Sequence, residues 1–388
     1  MDLTDQFLNS KRTMGDLKAD AVIRTVAKSG GGAEEIAPVT DLLHQLALND
    51  DTIPAGLPPV AKDYFKDNMT LPRWADPAKI EIAQDFYTEH GVEIGVILLC
   101  SSLPFCYADA SGVQVLARSG QLTDFVPRRL NETTRFMLDV MQAGNLAAGV
   151  PGAAGALGIE ATLKIRLLHA TMRYYFSNQP NPADRVVNPI NQEDLAMTLM
   201  TFSVVVLDGL ARLNFPATKE QQEAYFHAWN VIGFFLGVDD DLRAADVDEG
   251  RELFKAVGVR QFRVSKEGQD VTLALVTFLQ HIVPGRLFNE LVPMMLHFLL
   301  TNPVLLGPGI DVATILNITE SPVIQKLEPV IRFLYLALQT VTNETVCGLA
   351  ARDFGRHLLL GLELVNRGGN RAFFHVPDSL RKAWKIPS

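Results

Sequence analysis

Glu160-Ala-Thr-Leu-Lys-Ile-Arg-Leu-Leu-His-Ala-Thr-Met-Arg-Tyr-Tyr-Phe-Ser177 reads as a helix. Ile165, Leu167, Leu168, Met172, Tyr174, Tyr175 and Phe176 make it strongly apolar, and no alternation of period two runs through it. Arg166, His169 and Arg173 fall at i, i+3 and i+7, so one face carries an imidazole with a guanidinium about one turn to either side. A neutral imidazole is an iron ligand and fixed cations attract carboxylates. The pattern therefore suits a haem, with His169 on the iron and Arg166 and Arg173 near the propionates. The competing reading is structural: the two arginines pair with Glu160, Asp194 or Glu193 and tie helices together.

Outward from this segment the same period dominates. Helices are expected over Asp41–Leu48, Ala78–Ser102, Gly112–Ser119, Pro127–Gln142, Gln192–Leu213, Lys219–Leu236, Asp246–Ala256, Gln269–Ile282, Gly285–Leu300 and Ile324–Thr342, with more helix in Asn343–Asn366. Asn191-Gln-Glu-Asp194 has the form of a polar cap, and Thr218-Lys-Glu-Gln221 that of a capping box. The chain is expected to be all-α. No internal repeat or low-complexity linker divides it, so one domain over 1–388 is the simpler organisation, with a core at 78–300, an N-terminal extension at 1–77 and C-terminal helices at 301–388. Gly144–Gly158, rich in glycine and alanine, reads as a surface loop or as a pocket edge.

Composition narrows the function. Hydrophobic residues make up 48% of the 388 and charged ones 20%, which is a globular balance. A net charge of −9 and no Lys/Arg-rich run argue against nucleic acid as a partner. Cys100, Cys106 and Cys347 have no Cys-x-x-Cys spacing, so they read as buried thiols in a reducing compartment. The first residues carry charges and no apolar h-region, so a cytoplasmic location is expected. The uncharged stretches Val140–Ile159 and Leu291–Ile310 are broken by glycine and proline, so no transmembrane span is expected, while peripheral membrane contact stays open. No pattern specifies an oligomeric state.

Other chemistries find little support. Gly-x-Gly-x-x-Gly, P-loop and Gly-x-Ser-x-Gly patterns are absent. Asp239-Asp-Asp241 reads as a solvated helix start, and Glu193-Asp194 as a first helical turn. The remaining histidines lack His-x-x-x-His spacing, and His90 beside Glu89 reads as a helix end. His227, beside Trp229 in an apolar helix, reads as a pocket-lining candidate or as a hydrogen-bonded core histidine.

Arg166-Leu-Leu-His-Ala-Thr-Met-Arg173, followed by Asn188-Pro-Ile-Asn-Gln-Glu-Asp-Leu195, Phe202-Ser203, Tyr225-Phe-His-Ala-Trp-Asn-Val-Ile-Gly233 and Leu236-Gly-Val238, resembles the latex-clearing rubber oxygenases and their MpaB-type relatives. The resemblance runs from about Arg129 to Val238. It implies a non-covalent haem b in a helical body with a globin-like core, His169 as the proximal iron ligand, and Arg166 and Arg173 as its matched neighbours. Without Cys-x-x-Cys-His no covalent attachment is expected. The family's distal Arg-x-x-Lys-Thr element corresponds to Arg129-Leu-Asn-Glu132-Thr133, with glutamate in place of lysine. Glu132 is then a general base, an anion near the haem, or a solvent-facing residue.

The expectation is a haem oxygenase that uses dioxygen, on the face opposite His169, to attack a carbon–carbon double bond of a small apolar isoprenoid or polyketide-like substrate. Arg129 and Thr133 are its polar candidates, and Met137, Met141, Phe202, Phe234 and Phe235 candidate wall residues. A haem sensor, carrier or peroxidase-like protein would need the same proximal histidine. A cofactor-free helical lipid- or partner-binding protein is the third possibility.

Overall fold

Capping chemistry fixes many of the helix ends. A computed structural model describes residues 1–29, 35–48, 53–118, 122–147, 156–282, 286–307, 309–318, 352 and 355–360. In chain order the helices are α1 (Asp5–Arg12), α2 (Leu17–Ala27), α3 (Ala37–Leu48), α4 (Pro59–Lys66), α5 (Pro77–Ile97), α6 (Leu103–Ala108), α7 (Val113–Arg118), α8 (Leu122–Met141) and α9 (Leu157–Ser177). They continue as α10 (Gln192–Phe202), α11 (Val204–Arg212), α12 (Lys219–Leu236), α13 (Val247–Gln261), α14 (Lys266–Ile282), α15 (Arg286–Leu300), α16 (Pro303–Leu306) and α17 (Val312–Ile315). The fold is all-α. Among the described residues β-pairing is limited to one isolated bridge, Asp109 to Phe262.

α12 has the expected bounds because both ends are written locally. Thr218 Oγ1 accepts from the Gln221 N–H at 3.2 Å while Gln221 Oε1 accepts from the Thr218 N–H at 2.9 Å. Gly237 closes the helix in the left-handed region at φ 81°.

Two expected helices are interrupted, each for a physical reason. The helix expected over Gln192–Leu213 breaks at Ser203 (φ −106°, ψ −85°), whose hydroxyl donates to the Leu199 carbonyl at 2.9 Å, while Tyr225 Oη donates to the Phe202 carbonyl at 3.2 Å. Between α5 and α6 the chain passes through a π-helical turn, Leu98–Ser102. Pro104 has no N–H, and the wider turn re-spaces the bonds around it. Here the helix also runs past its expected end at Ser102, as far as Ala108.

α9 packs against α2, α3, α8 and α12, and α12 lies along α5, with Phe86 and Tyr225 edge to face at 5.6 Å. One continuous apolar core runs from Leu8 to Leu359. α1, α2 and α4 of the N-terminal region were not expected as helices. Pro77–Ala108 and Gln192–Arg212 are long and apolar enough to cross a membrane, yet 83% and 78% of their apolar windows are buried inside the protein, as in core helices. Ile324–Thr342, most of Asn343–Asn366, Cys347 and part of Gly144–Gly158 lie outside the described residues.

Candidate functional site

α9, which packs against α2, α3, α8 and α12, carries His169 within the field of Arg173, of Arg129 on α8 and of Asp16 at the start of α2. Burial is the main reason that its imidazole is pushed down to about 4, and the Arg173 and Arg129 charges add to the effect. The ring is therefore neutral at physiological pH. Its Nδ1 is enclosed without a hydrogen-bond partner.

Arg129, on α8, is partly buried, and burial lowers its pKa against the opposing influence of Tyr107, Glu132 and Cys106. Among the described residues it forms no ion pair; its charge faces Tyr107 and Cys106 on α6. Cys106 Sγ lies 3.5 Å from Thr201 Oγ1, and burial pushes the thiol up to about 11, so it is a neutral wall group. His169 and Arg129 thus bring together a neutral nitrogen base and a cation that has no ion-pair partner among the described residues.

The flanking arginines do not stand free as the haem-propionate reading expected. Arg166 grips Asp16 through two bonds, Nε to Oδ2 at 2.5 Å and Nη2 to Oδ1 at 2.8 Å. Arg173 Nε donates to Asp20 Oδ1 at 2.9 Å, and its Nη1 to the Ile190 carbonyl at 2.5 Å. Helix-tying is what the arginines do here, through Asp16 and Asp20 rather than Glu160, Glu193 or Asp194. Ile190 has a left-handed backbone, φ 52°, rare for a β-branched residue, and this conformation accompanies the carbonyl contact to Arg173.

The Asn-Gln-Glu-Asp motif proves to be a fastening. Asn191 caps α10 by accepting from the Asp194 N–H at 3.1 Å. Gln192 Nε2 donates to the Gly15 and Gly237 carbonyls at 3.0 and 2.9 Å. Glu193 does more than begin a helix: fully buried, it accepts from Arg12 and Arg260 at 2.9 Å each and from Gln261 at 3.1 Å.

Two open readings close and one expectation, that for His90, is corrected. Glu132 is not poised at the site; it is exposed and takes Arg128 Nε at 2.7 Å in an i,i+4 pair on the outside of α8. His227 is a structural hydrogen-bonding residue, accepting the Asp76 N–H at 2.8 Å next to the start of α5 and standing edge-on to Trp74. His90 lies inside α5 rather than at its end, in contact with Phe86 at 4.9 Å. Of the Asp239-Asp-Asp241 run, Asp239 and Asp241 hold Lys11 at 2.7 and 3.0 Å. No group of three or more His, Cys, Asp or Glu side chains that could hold a metal ion occurs among the described residues.

A cavity of about 30 Å³ opens beside α8, lined there by Leu130, Thr133, Thr134, Met137 and Leu138. Gly91, Gly95, Leu98 and Leu99 line it from α5 and the π-helical turn, and Gly355, Leu358 and Leu359 close it. Thr133 faces this space; Arg129, one turn earlier, and His169 do not line it. Of the candidate wall residues only Met137 does: Met141 and Phe235 are core, Phe202 packs on Trp229, and Phe234 is 38% exposed.

Asp139, near the end of α8, yields a pH test. Burial raises it from 3.8 to about 6, against the opposing Arg135 and Lys164 charges. With the folded pKa above the unfolded one, its stabilising contribution is complete below the unfolded value and is lost as pH rises through about 6. Asp139→Asn is expected to gain about 1–3 kcal/mol at pH 7 and almost nothing at pH 4. Urea midpoints of the two proteins across that range check it, and a pH-independent difference would refute the assignment.

The description "ER-bound oxygenase mpaB/B'/Rubber oxygenase, catalytic domain" belongs to a family model that matches residues 97–340. A rubber oxygenase from Streptomyces sp. (strain K30) is 24% identical over 321 residues, covering 80% of this chain and 72% of that protein. The structure of the latex clearing protein LCP in the closed state superposes with a TM-score of 0.65 at 20% identity, over 97% of this chain and 91% of that one. The first of these spans well over half the chain, from the end of α5 past α17 and across both the His169 and Arg129 helices, so the chain belongs to the mpaB/rubber oxygenase catalytic-domain family and is an oxygenase.

Proposed function

We propose that this chain is a haem b-dependent oxygenase that cleaves a carbon–carbon double bond in an apolar, isoprenoid-like substrate with dioxygen. The observation that carries the reading is the neutral imidazole of His169, its Nδ1 buried and unpartnered among the described residues, within the field of the Arg129 cation. This donor set fits a haem: a neutral nitrogen for iron and a fixed positive charge for an anionic edge. Haem, when bound, supplies the redox iron needed to activate dioxygen.

The chain's own groups do the rest. His169 holds its lone pair ready without having to lose a proton. Arg129 offers a fixed donor and positive charge in a setting with little water, where each is worth more than in solvent. The cavity walls offer an apolar seat next to Thr133. Gly355, Leu358 and Leu359 form one wall of that seat, and Gly91, Gly95, Leu98 and Leu99 another.

The test is dioxygen-dependent formation of carbonyl products from a graded panel of isoprenoid alkenes, with the haem content measured in parallel. Cleavage of one C=C by one O2 gives two carbonyl groups and needs no further reductant. Oxygen or carbon monoxide binding without product would favour a sensor or carrier. A colourless protein after haem supplementation would favour a cofactor-free binding role.

Gly95 gives a sharper check on the apolar seat. A Cβ added there meets nothing within 4 Å, so a side chain would enter the cavity. Gly95→Phe is expected to lower kcat/KM for the longer alkenes about 10- to 100-fold while the haem spectrum stays unchanged. Equal activity on every chain length would remove this cavity from the substrate path.

A further inference from the structure

Asp16 and Asp20 enter the His169 site from outside the region that resembles the family's motifs. Asp16 is the N-cap of α2, accepting from the Ala19 N–H at 3.3 Å while it also binds Arg166 through both oxygens. Asp20, one turn on, binds Arg173. Only 4% of the Asp16 side chain and 12% of that of Arg166 are exposed, so solvent screens this pair little.

The surroundings leave space for these pairs and nothing else. A Cβ on Gly237 would lie 2.4 Å from Asp16 Oδ2 and 2.5 Å from Arg166 Nε; one on Gly15 would lie 2.6 Å from Asp20 Oδ2 and 2.8 Å from Arg173 Nε. Gln192 ties the carbonyls of these same two glycines together. The two ion pairs are thus seated between glycines that one side chain, Gln192, holds in register.

Arg166 and Arg173 share the helix face of His169, so their charge bears on whatever that imidazole binds. We propose that Asp16 and Asp20 are positioning residues of the oxygenase site: they orient the two arginines and cancel their charge beside His169. The N-terminal helix is then a working part of the site. This rests on the reading of His169 as a haem ligand. An uncompensated cation favours the iron state with one more electron, so loss of either carboxylate moves the reduction potential positive.

The experiment compares haem-loaded wild type with Asp16→Asn, Asp20→Asn and Lys11→Gln by spectroelectrochemistry. Lys11→Gln loosens the same N-terminal segment at Asp239 and Asp241 without touching α9. The asparagine variants are expected to raise the ferrous-to-ferric ratio at fixed potential at least about tenfold, a shift of about 59 mV for one electron. Lys11→Gln is expected to leave it unchanged.

Wild-type potentials in both asparagine variants would overturn the proposal. So would tighter haem retention at an unshifted potential, because the aspartates would then be competing with the cofactor's own carboxylates. If the asparagine variants fail to fold, Asp16→Glu and Asp20→Glu keep the charge and are expected to retain the wild-type potential; a positive shift in them refutes charge cancellation.

A colourless wild type sinks the haem reading by itself, and the orienting role is then read by amide hydrogen exchange in the cofactor-free chain. Faster exchange over residues 166–173 in the asparagine variants but not in Lys11→Gln supports it. Equal exchange in all of them overturns it.

Discussion

His169→Ala is expected to yield a folded protein that has lost its Soret absorbance. The substitution removes a desolvated ring whose Nδ1 has no partner, so the fold loses packing but no hydrogen bond to that atom. A haem held by His169 would lose the nitrogen that this histidine supplies. Outer-shell partners of metal ligands are worth about 10–100-fold in affinity, and removal of the ligand itself should exceed that range. Haem affinity and alkene turnover should both fall by more than about 100-fold, as read by a pyridine haemochrome assay and product formation. Added imidazole should partly restore the spectrum by filling the space left behind. A variant with an unchanged spectrum would show that another group binds the iron.

The largest loss of stability should follow Glu193→Ala. Its carboxylate is wholly buried, joins α1 to α10 and α13, and accepts from Arg12, Arg260 and Gln261. Alanine would leave two guanidiniums facing an empty space, and breaking a buried pair on one side costs about 3–5 kcal/mol. Glu193→Gln keeps an acceptor and should lose less. Urea-denaturation midpoints measure both. A loss below about 1 kcal/mol for alanine would mean that water or Asp194 takes over the arginines.

The helical class was legible because helix periodicity is a local signal, as was the placing of His169 between Arg166 and Arg173 on one helix. α12 shows why: a capping box at Thr218 and a glycine at 237 state both ends within the helix's own residues. The break at Ser203 was hidden, since it depends on Leu199 and Phe202 carbonyls and on Tyr225 from another helix. α1 and α2 were missed because their charged residues look like a solvated extension, while their partners lie far along the chain. Asp16 and Asp20 were visible only as charges. Nothing local distinguishes an aspartate facing water from one facing Arg166 across 150 positions. Glu132 was placed correctly in its helix, but its outward pairing with Arg128 was one of three open readings.

The contacts of α1 and α2 also set a timetable for synthesis. Asp16 and Asp20 leave the ribosome well before their partners Arg166 and Arg173, which follow more than 145 residues later; Lys11 waits for Asp239 and Asp241, and Asp5 for Arg260. Loop closure across such spans precedes any stabilising contact, so the segment that holds α1 and α2 docks late although it is made before its partners. For most of translation the nascent chain must carry an undocked, amphipathic N-terminus. Fusion partners placed there therefore stand to delay completion of the site more than equal partners placed within the connection from α12 to α13.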